Sequence, residues 1–225
     1  VNMLRRMEDL SVAANSDTYS ANELDIFAIE VEGYMDDIRG LANTRDSNGH
    51  FMFSGTKVTT LPFTKQADGT VVYNGNQTEP TLELDTGYQL PLSISGHKLV
   101  GVIERKNALG AVTSRVDMFK VMQDFVTALK ANDKTGVGLA LDELQVVSRN
   151  INKNLVDNGL RQNLVEERRD ISEDKIVIYK GLLSEAQDVD YATAITQLSS
   201  DMLALEAAQS TFAKVSQLSI LNFIR

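Results

Sequence analysis

Residues 191–217 read YATAITQLSSDMLALEAAQSTFAKVSQ and follow the pattern of a long amphipathic helix. The apolar side chains recur at intervals of three and four residues, at Tyr191, Ile195, Leu198, Met202, Leu205, Ala208, Phe212, Val215 and Leu218. This spacing places them on one stripe of an α-helix, and residues 182–225 contain no Gly or Pro that would interrupt it. Because exposed apolar surfaces usually mark interaction sites, the pattern predicts a helix that packs against a partner.

A second helical pattern lies in the first fifth of the sequence. Its apolar residues form a heptad seam made of Leu24, Phe27, Val31, Tyr34, Ile38 and Leu41. Ser20 and Glu23 precede this seam with the spacing of a capping box, in which each residue satisfies a backbone donor of the other. A shorter helix from about Val1 to Ala14 is expected before it, because the polar residues 15–18 favour a turn.

Two more helices are predicted after residue 114. The segment 114–117 offers a helix cap, and one apolar face follows it at Phe119, Met122, Phe125, Val126 and Leu129. A break at 131–136 separates this helix from a long one that begins near Gly138. The side chains of this helix that are expected to face the core are Leu141, Leu144, Val147, Ile151 and Leu155. Asn158 and Gly159 either interrupt it or lie exposed within it.

Residues 49–113 contain all three prolines and eight of the fourteen glycines, which favours a β-rich region between helices. Strands are predicted at residues 71–73, at Leu82 and Leu84, and at an alternating set made of Leu90, Leu92 and Ile94. Pro91 favours an edge position for the last of these strands. The predicted fold class is therefore α+β. It has a discontinuous helical rod at 1–49 and 114–190, an inserted β-rich domain at 50–113, and a C-terminal assembly helix at 191–225.

Composition and charge exclude several classes of function. The net charge of −9 argues against a nucleic-acid partner, because phosphate binding needs a basic surface. No apolar run approaches the ~20 residues that a membrane-spanning helix requires, so no membrane insertion is predicted. The sequence has no Cys, which excludes disulfides and thiolate metal sites. Residues 1–6 lack the apolar core of a cleavable signal peptide.

The residues that usually carry catalysis are few and scattered. His50 and His97 lie in Gly-flanked segments without Ser/His/Asp spacing or a metal-ligand cluster, and we interpret both as loop histidines. Glu83 and Asp85 share the solvent face of a predicted strand. We therefore predict no catalytic residue, no metal site and no cofactor. The predicted functional surface is the apolar stripe, with partner-binding residues Ile195, Leu198, Met202, Leu205, Phe212, Val215, Leu218 and Leu221.

Several stretches resemble one family over most of the chain. They are DVDYATAITQL at 188–198, AAQSTFAKV at 207–215, LSILNFI at 218–224, LANT at 41–44, GHFMFSGTK at 49–57, DGTVVYNG at 68–75 and GLRQN at 159–163. Together they resemble the flagellin superfamily, and within it the hook-associated branch that forms the junction between the flagellar hook and filament.

The resemblance implies a non-enzymatic structural subunit of the bacterial flagellum. Such a subunit lies outside the cell and is exported through the flagellar type III apparatus without a cleavable signal peptide. The resemblance also implies self-association into a ring or helical array, contacts with other hook-associated proteins and with flagellin, and an export chaperone that binds the C-terminal helix. Two alternatives remain open: a flagellin filament subunit, and a cytoplasmic coiled-coil adaptor.

Members of this family carry an additional N-terminal helical segment that pairs with the C-terminal helix, whereas this sequence starts inside the rod. We therefore expect an N-terminally truncated fragment. In such a fragment the C-terminal helix is expected to be disordered, folded back, or paired with a neighbouring molecule.

Overall fold

The computed structural model describes residues 1–16, 18–85, 88–106, 111–187 and 191–217. The elements in these residues are α1 (Asn2–Ala14), α2 (Ala21–Ala42), β1 (Phe63–Lys65), β2 (Val71–Tyr73), β3 (Thr81–Asp85), β4 (Tyr88–Pro91), α3 (Gly96–Val100), β5 (Ile103–Lys106), β6 (Val112–Val116), α4 (Met118–Lys130), α5 (Lys134–Gln187) and α6 (Tyr191–Gln217). The chain divides into two compact units, Val1–Leu164 and Val165–Arg225. The predicted α+β class, with long helices before and after a β-rich segment, is confirmed.

The core of the first unit forms where α2 lies along α4, with α1 packed beside α2. The largest fully buried side chains come from these helices, from the start of α5 and from β1. They include Met7, Leu24, Phe63, Phe119, Phe125, Leu129 and Leu144. Each such side chain contributes about 1.5–3 kcal/mol when it leaves water, so this shared core holds the helices and the first hairpin together.

Helix α1 is fastened to the start of α5 by two polar side chains. The Ser11 hydroxyl, which is buried, donates to the carbonyl oxygen of Val137 at 3.0 Å. The Lys134 ammonium donates to the carbonyl oxygens of Ala14 and Ser16, each at 2.7 Å. A cation at this position satisfies carbonyl groups that the end of a helix leaves without partners. The predicted extent of α1 is confirmed, and it ends where the polar segment begins.

Helix α2 begins with the predicted capping box. The Ser20 backbone N–H donates to Glu23 Oε2 at 2.7 Å, and the Ser20 hydroxyl donates to the same oxygen at 2.8 Å. Both hydrogen bonds lower the pKa of the Glu23 carboxyl. The larger effect comes from the backbone N–H of Ser20 and the smaller one from its hydroxyl. The ionised carboxylate therefore anchors the first turn.

The buried face of α2 is rotated from the predicted seam. The buried residues are Leu24, Ala28, Val31, Met35 and Ala42. Phe27, Tyr34 and Ile38 are half-buried, and Leu41 is exposed, so the prediction for Leu41 is wrong. The physical reason is that small side chains such as Ala28 and Ala42 allow neighbouring helices to approach closely, whereas a pattern based on large apolar residues gives them little weight.

Helix α4 matches its prediction. Its N-cap is Asp117, whose side chain accepts a hydrogen bond from the backbone N–H of Lys120 at 2.8 Å. The five predicted inward residues are all buried: Phe119, Met122, Phe125, Val126 and Leu129. The regular period of a helix with one wet face is thus sufficient to identify this part of the core.

Helix α5 starts at Lys134, slightly earlier than expected, and continues without a break through Asn158 and Gly159. Leu144 and Val147 are buried as predicted, and Leu141 and Ile151 are half-buried. Leu155 is exposed, so its predicted inward position is wrong. In the first unit the buried positions of α5 end at Val147, which leaves the apolar stripe of the later turns in solvent.

The middle of the chain forms three separate antiparallel hairpins, in which β1 pairs with β2, β3 with β4, and β5 with β6. The predicted strand at 71–73 is β2, and Leu82 and Leu84 lie in β3. Leu92 and Ile94 lie beyond the end of β4, so the third predicted strand is too long. Strands β1, β5 and β6 and the short helix α3 were not predicted, because such short elements carry little periodic signal.

Tyr73 connects three parts of this region. Its hydroxyl lies 3.0 Å from the carbonyl oxygen of Phe53 and 2.7 Å from that of Asn76, and it accepts a hydrogen bond from the backbone N–H of Gly96 at 3.2 Å. Burial raises the pKa of the Tyr73 hydroxyl, which keeps it a neutral donor. A Cβ atom at Gly96 would lie 2.4 Å from the Tyr73 ring and 2.8 Å from the Phe53 oxygen, so only glycine fits.

Phe63 attaches the first hairpin to the helical core. Its ring centroid lies 5.1 Å from that of Tyr73 and 5.3 Å from that of Phe119, both in tilted arrangements. Such aromatic pairs contribute about 0.5–1.5 kcal/mol beyond the area that they bury. The β1–β2 hairpin therefore shares one core with α4.

Three ion pairs join α2 to neighbouring elements, and one of them links Lys130 Nζ of α4 to Glu32 Oε1 at 2.7 Å. Arg6 Nε lies 2.9 Å from Glu30 Oε1, and the hydrogen bond from Arg6 lowers the pKa of the Glu30 carboxyl. Lys65 Nζ lies 3.1 Å from Asp36 Oδ2. Burial alone would raise the pKa of Asp36, but hydrogen bonds from Lys65 and Arg39 lower it below its ordinary value.

We expect Gly96→Ala to lower the free energy of unfolding by about 1–3 kcal/mol, because the added methyl group overpacks the site against Tyr73. Gly159→Ala is the matched control, since a Cβ there meets nothing within 4 Å and alanine stabilises a helix by about 0.5–1 kcal/mol relative to glycine. Urea unfolding of both variants provides the measurement. Equal effects of the two substitutions would contradict the packing described for Gly96.

The lowered pKa values of Glu23, Glu30 and Asp36 predict a loss of stability in acid. A carboxyl whose pKa is lowered on folding contributes stability that is present above its unfolded pKa and is lost as the pH falls through its folded pKa. The free energy of unfolding should therefore decrease as the pH falls below the ordinary glutamate value of 4.5. Urea titrations at constant ionic strength between neutral and acidic pH measure this decrease. The triple variant Glu23→Gln, Glu30→Gln, Asp36→Asn should show a shallower decrease, and an unchanged one would refute the assignment.

Candidate assembly surface

Helix α6 carries an uncovered apolar stripe. Tyr191, Leu198, Leu205 and Phe212 follow one another at seven-residue intervals, Ile195 and Met202 lie between them, and Val215 follows. We call these seven residues the α6 seam. Their exposed fractions range from 60% at Leu198 to 77% at Tyr191. A strict seven-residue repeat is typical of helices that wind around a partner in a left-handed supercoil.

Several polar side chains of α6 form hydrogen bonds within the helix itself. Thr196 and Thr211 each donate from the hydroxyl to the carbonyl oxygen four residues earlier, at 2.7 and 2.8 Å. Gln197 Nε2 donates to Asp201 Oδ1 at 3.0 Å. By contrast, every side chain described between residues 191 and 216 is exposed, so the seam has no cover. The apolar seam is therefore the part of this helix that gains most from a partner.

Six of the predicted partner-binding residues lie together on this seam: Ile195, Leu198, Met202, Leu205, Phe212 and Val215. Leu218 and Leu221 lie outside the described residues. That these residues bind a partner stays a prediction. The expectation that the helix is disordered or folded back is wrong for residues 191–217, because they are helical and their described side chains are exposed. Pairing with a neighbouring molecule stays a prediction.

Covering the α6 seam with a partner would be energetically favourable. Isolated helices in water are only marginally stable. Burying seven seam side chains would gain on the order of 10–20 kcal/mol, before the entropic cost of association is subtracted. Even a fraction of this gain is enough for a specific complex.

The part of α5 in the second unit is also apolar on its surface. Its exposed large side chains include Ile171, Ile176, Val177, Ile178, Tyr179, Leu182 and Leu183. They occupy more than one side of the helix, which is typical of a helix that is buried among several neighbours in an assembly. Sequence reasoning missed this surface, although the run IVIY at 176–179, between Lys175 and Lys180, provides the signal.

The first unit has an apolar recess on its own surface. It has a volume of about 390 Å³, and its lining includes Met3, Leu4, Ile38, Leu41, Phe53, Leu99 and Ile151. Leu41, which the heptad pattern placed in the core, instead forms part of this open recess. The first unit therefore has apolar side chains on its surface as well as in its core.

Arg105 fixes the β5–β6 hairpin to the helices. Its Nε and Nη2 atoms donate to the two carboxylate oxygens of Glu143 at 2.6 and 2.7 Å, and Nη2 also lies 2.8 Å from Asp124 Oδ2. Glu143 is only 5% exposed. The hydrogen bonds to Glu143 raise the pKa of the Arg105 guanidinium, against the opposing effect of burial, and those to Asp124 raise it further. The pair stays ionised, and its bidentate geometry fixes the orientation of the strand.

This ion pair is not predicted by any pattern in the sequence. Glu143 lies next to Leu144 in the predicted apolar helix, which is a signal for a buried charge, but its partner lies 38 residues away. No local pattern connects the two residues, so the contact becomes visible only in the tertiary structure.

The residues considered for catalysis do not form a site. His50 lies in a loop, with Nδ1 3.8 Å from Asp46 Oδ2. His97 lies in α3, so its predicted loop position is wrong. Glu83 is exposed, and the side chain of Asp85 lies outside the described residues. Within the described part of the chain, no three His, Cys, Asp or Glu residues are grouped so that they could hold a metal ion.

None of the helices in the described ranges combines the length and the apolar character needed to cross a membrane. No protein-family model matches the chain. Two curated relatives match almost all of it. Flagellar hook-associated protein 3 of Escherichia coli is 24% identical over 230 residues, which cover 96% of this chain and 71% of that protein. The protein of the same name from Salmonella typhimurium is 22% identical over 235 residues, which cover 99% and 73% of the two chains.

Solved structures show the same fold. The flagellar hook-associated protein-3 of Legionella pneumophila aligns with a TM-score of 0.72 at 16% identity, covering 84% of this chain and 89% of that one. FlgL of Xanthomonas campestris aligns with a TM-score of 0.68 at 16% identity, covering 82% and 89%. The resemblance predicted from the sequence is thus confirmed: the chain is similar to flagellar hook-associated protein 3 along nearly its whole length.

We expect Glu143→Gln to lower the free energy of unfolding by roughly 3 kcal/mol, because it removes a buried carboxylate and leaves the partly buried Arg105 guanidinium without its main counter-charge. Glu104→Gln is the matched control, since Glu104 pairs with Arg115 on an exposed surface and such pairs contribute at most about 1 kcal/mol. Thermal or urea unfolding of the two variants measures the difference. Indistinguishable stabilities would show that the Arg105–Glu143 pair does not hold the hairpin.

Proposed function

We propose that this chain is a structural subunit of the bacterial flagellum that joins the hook to the filament. The similarity to flagellar hook-associated protein 3 over nearly the whole chain supports this function. The single structural observation that carries the proposal is the uncovered α6 seam. A protein that works inside a larger helical assembly needs such a surface, whereas a free-standing globular protein would bury it.

In this proposal, each segment of the chain has its own role in the assembly. Residues 1–49 and 114–190 form the rod that supplies lateral contacts, and residues 50–113 form the insert that projects outward. Residues 191–225 form the assembly helix. Repeated heterologous contacts of this kind generate a ring when the rotation closes and an open helical array when it does not.

The α6 seam serves two partners in succession. Before export, a cytoplasmic chaperone covers it by accepting the apolar face of the helix into a groove. After export, the seam packs against other subunits outside the cell. The neighbours in the assembled flagellum are other hook-associated proteins on one side and flagellin on the other. No catalytic step is required of this chain.

The loop before β1 favours a junction subunit over the alternative of a bulk filament subunit. The motif GHFMFSGTK at 49–57 resembles the hook-associated branch of the superfamily. Its fold is supported by Asn76, whose Oδ1 accepts from the backbone N–H of Thr56 at 2.9 Å and whose Nδ2 donates to the Thr56 hydroxyl at 2.6 Å. A deletion strain without the gene distinguishes the two functions: loss of a junction subunit leaves flagellin unattached in the medium, whereas loss of flagellin removes the filament protein itself.

Leu205→Asp and Phe212→Asp should each abolish motility and filament attachment when the variant protein replaces the wild type in a deletion strain. The reason is that an aspartate inside a packed seam leaves a charge without a partner in an apolar contact. Ser200→Asp is the matched control, because position 200 lies about half a turn away from the seam and should retain function.

Circular dichroism and urea unfolding of the purified variants test whether the first unit remains folded. We expect their unfolding curves to match the wild type, since the seam is exposed in the chain. Normal motility of the Leu205→Asp and Phe212→Asp strains would refute the role of the seam. Filaments that attach normally in the strain without the gene would refute the proposed function.

A further inference from the structure

The sequence contains three Asn–Gly pairs, at Asn48–Gly49, Asn74–Gly75 and Asn158–Gly159. Asparagine is one of the chemically labile residues of proteins. A following glycine increases this lability, because glycine has no Cβ atom that shields its backbone nitrogen. The nitrogen can attack the carboxamide of the asparagine when the backbone between the two residues is free to rotate. The local structure therefore decides which of the three pairs reacts.

The first pair lies in a loop in which Asn48, Gly49 and His50 are all exposed. A Cβ atom at Gly49 would meet nothing within 4 Å, so the space beside its nitrogen is open. The Gly49 N–H donates to the carbonyl oxygen of Asp46 at 3.0 Å, and this hydrogen bond must open before the nitrogen can react. It lies within the exposed loop itself, where opening costs little free energy.

The other two pairs are held by their surroundings. Asn158 is also exposed, but it lies inside α5. A helix fixes the backbone angles and engages the N–H of the following residue in its hydrogen-bond ladder, which keeps that nitrogen away from the carboxamide.

Asn74 is half-buried, and its Nδ2 donates to Thr64 Oγ1 at 3.0 Å. Its backbone N–H donates to the carbonyl oxygen of Pro62 at 2.8 Å. The backbone of Gly75 is crowded, because a Cβ atom there would lie 2.3 Å from the Tyr73 hydroxyl oxygen. The Asn74 side chain and the Gly75 backbone are therefore both restrained.

We propose that Asn48 is a site of spontaneous covalent modification, at which the Gly49 backbone nitrogen converts the carboxamide to aspartate and isoaspartate. The nitrogen forms a bond to Cγ of Asn48 and gives up its proton, the Cγ–Nδ2 bond breaks, and Nδ2 leaves with that proton as ammonia. Water then opens the cyclic imide. Attack at Cγ gives aspartate, and attack at the main-chain carbonyl gives isoaspartate. The reaction consumes water, needs no oxidant or reductant, and does not depend on the proposed function.

The modification changes a loop that is closed by short contacts. The Asp46 carboxylate accepts hydrogen bonds from the backbone N–H groups of Asn48 and His50, at 2.8 and 2.9 Å. A new carboxylate at position 48 therefore lies beside one that is already ionised, and like charges repel.

Isoaspartate also lengthens the main chain by one methylene group between residues 48 and 49. Arg45 Nη1 donates to the carbonyl oxygen of Gly49 at 3.3 Å, and the Arg45 guanidinium lies 4.2 Å from the ring centroid of the buried Phe51. A longer loop shifts this oxygen relative to the guanidinium. The modification thus loosens the start of residues 49–57.

Incubation of the whole folded chain in heavy-oxygen water, at a mildly alkaline pH that favours loss of the amide proton, measures the reaction directly. The label enters only when water opens the imide, so modification during a later digestion in ordinary water is not counted. Cleavage after Arg45 and Lys57 releases residues 46–57, in which Asn48 is the only asparagine. We expect labelled product at Asn48 to accumulate several-fold faster than at Asn74 or Asn158. Comparable rates, or a faster reaction at either of the other two, would overturn the proposal.

The same incubation in urea separates the effect of the fold from that of the sequence. In the unfolded chain the three pairs share the same reactive dipeptide and lose their structural restraints, so their rates should become similar. Circular dichroism confirms that α5 has unfolded under these conditions. A rate at Asn48 that stays several-fold higher in urea would show that the neighbouring residues decide the site, and it would overturn the structural argument.

Two variants provide the second arm of the test. Asn48→Gln keeps an amide but lengthens the side chain, which disfavours ring closure, so the main acidic form that ion exchange separates from the aged protein should nearly disappear. Asn158→Gln is the matched control and should leave that form unchanged. An acidic form that persists in Asn48→Gln would overturn the proposal.

Urea unfolding of the aged proteins tests the effect on the loop. We expect a lower unfolding midpoint for the aged wild type than for the aged Asn48→Gln variant, each compared with its fresh sample. Equal changes in the two midpoints would overturn the loosening of the loop.

Discussion

Burial of the apolar face of α4 is the interaction on which the first unit depends. Phe119, Phe125 and Leu129 are almost completely buried, and α2 lies along them. The β1–β2 hairpin joins the same core because Phe63 stacks between Phe119 and Tyr73. Once this face is buried, the remaining elements are positioned by individual polar contacts. Lys134 closes the end of α1, and Arg105 binds the third hairpin to the buried carboxylate of Glu143.

In the second unit, by contrast, the large apolar side chains are exposed. Several polar side chains of its helices form local hydrogen bonds, yet the α6 seam and the apolar side chains of α5 from Ile171 to Leu183 remain in solvent. Since burial of apolar surface is the main favourable term in folding and association alike, covering these surfaces would stabilise the second unit. This division between a self-contained core and uncovered helices is what a building block of a larger assembly requires.

Sequence reasoning succeeded where a signal is local. The capping box of Ser20 and Glu23 involves residues three apart, and the inward face of α4 repeats with the helical period, so both could be predicted. It failed at Leu41 and Leu155, because helical spacing shows that a face is apolar but not where the neighbouring helices end. Strands β1, β5 and β6 were missed for a related reason. They are short, and their stability comes from partners elsewhere in the chain.

The sequence by itself therefore determined that the chain is helical at both ends and β-rich between them, that α6 carries a seven-residue seam, and that the protein resembles flagellar hook-associated proteins. Each of these depends on periodicity or motif spacing, which is written along the chain. Only the tertiary structure decided which large side chains are buried, that Arg105 pairs with Glu143, and which apolar side chains stay exposed. These properties arise between residues far apart in sequence, where packing and charge in three dimensions decide and local spacing carries no information.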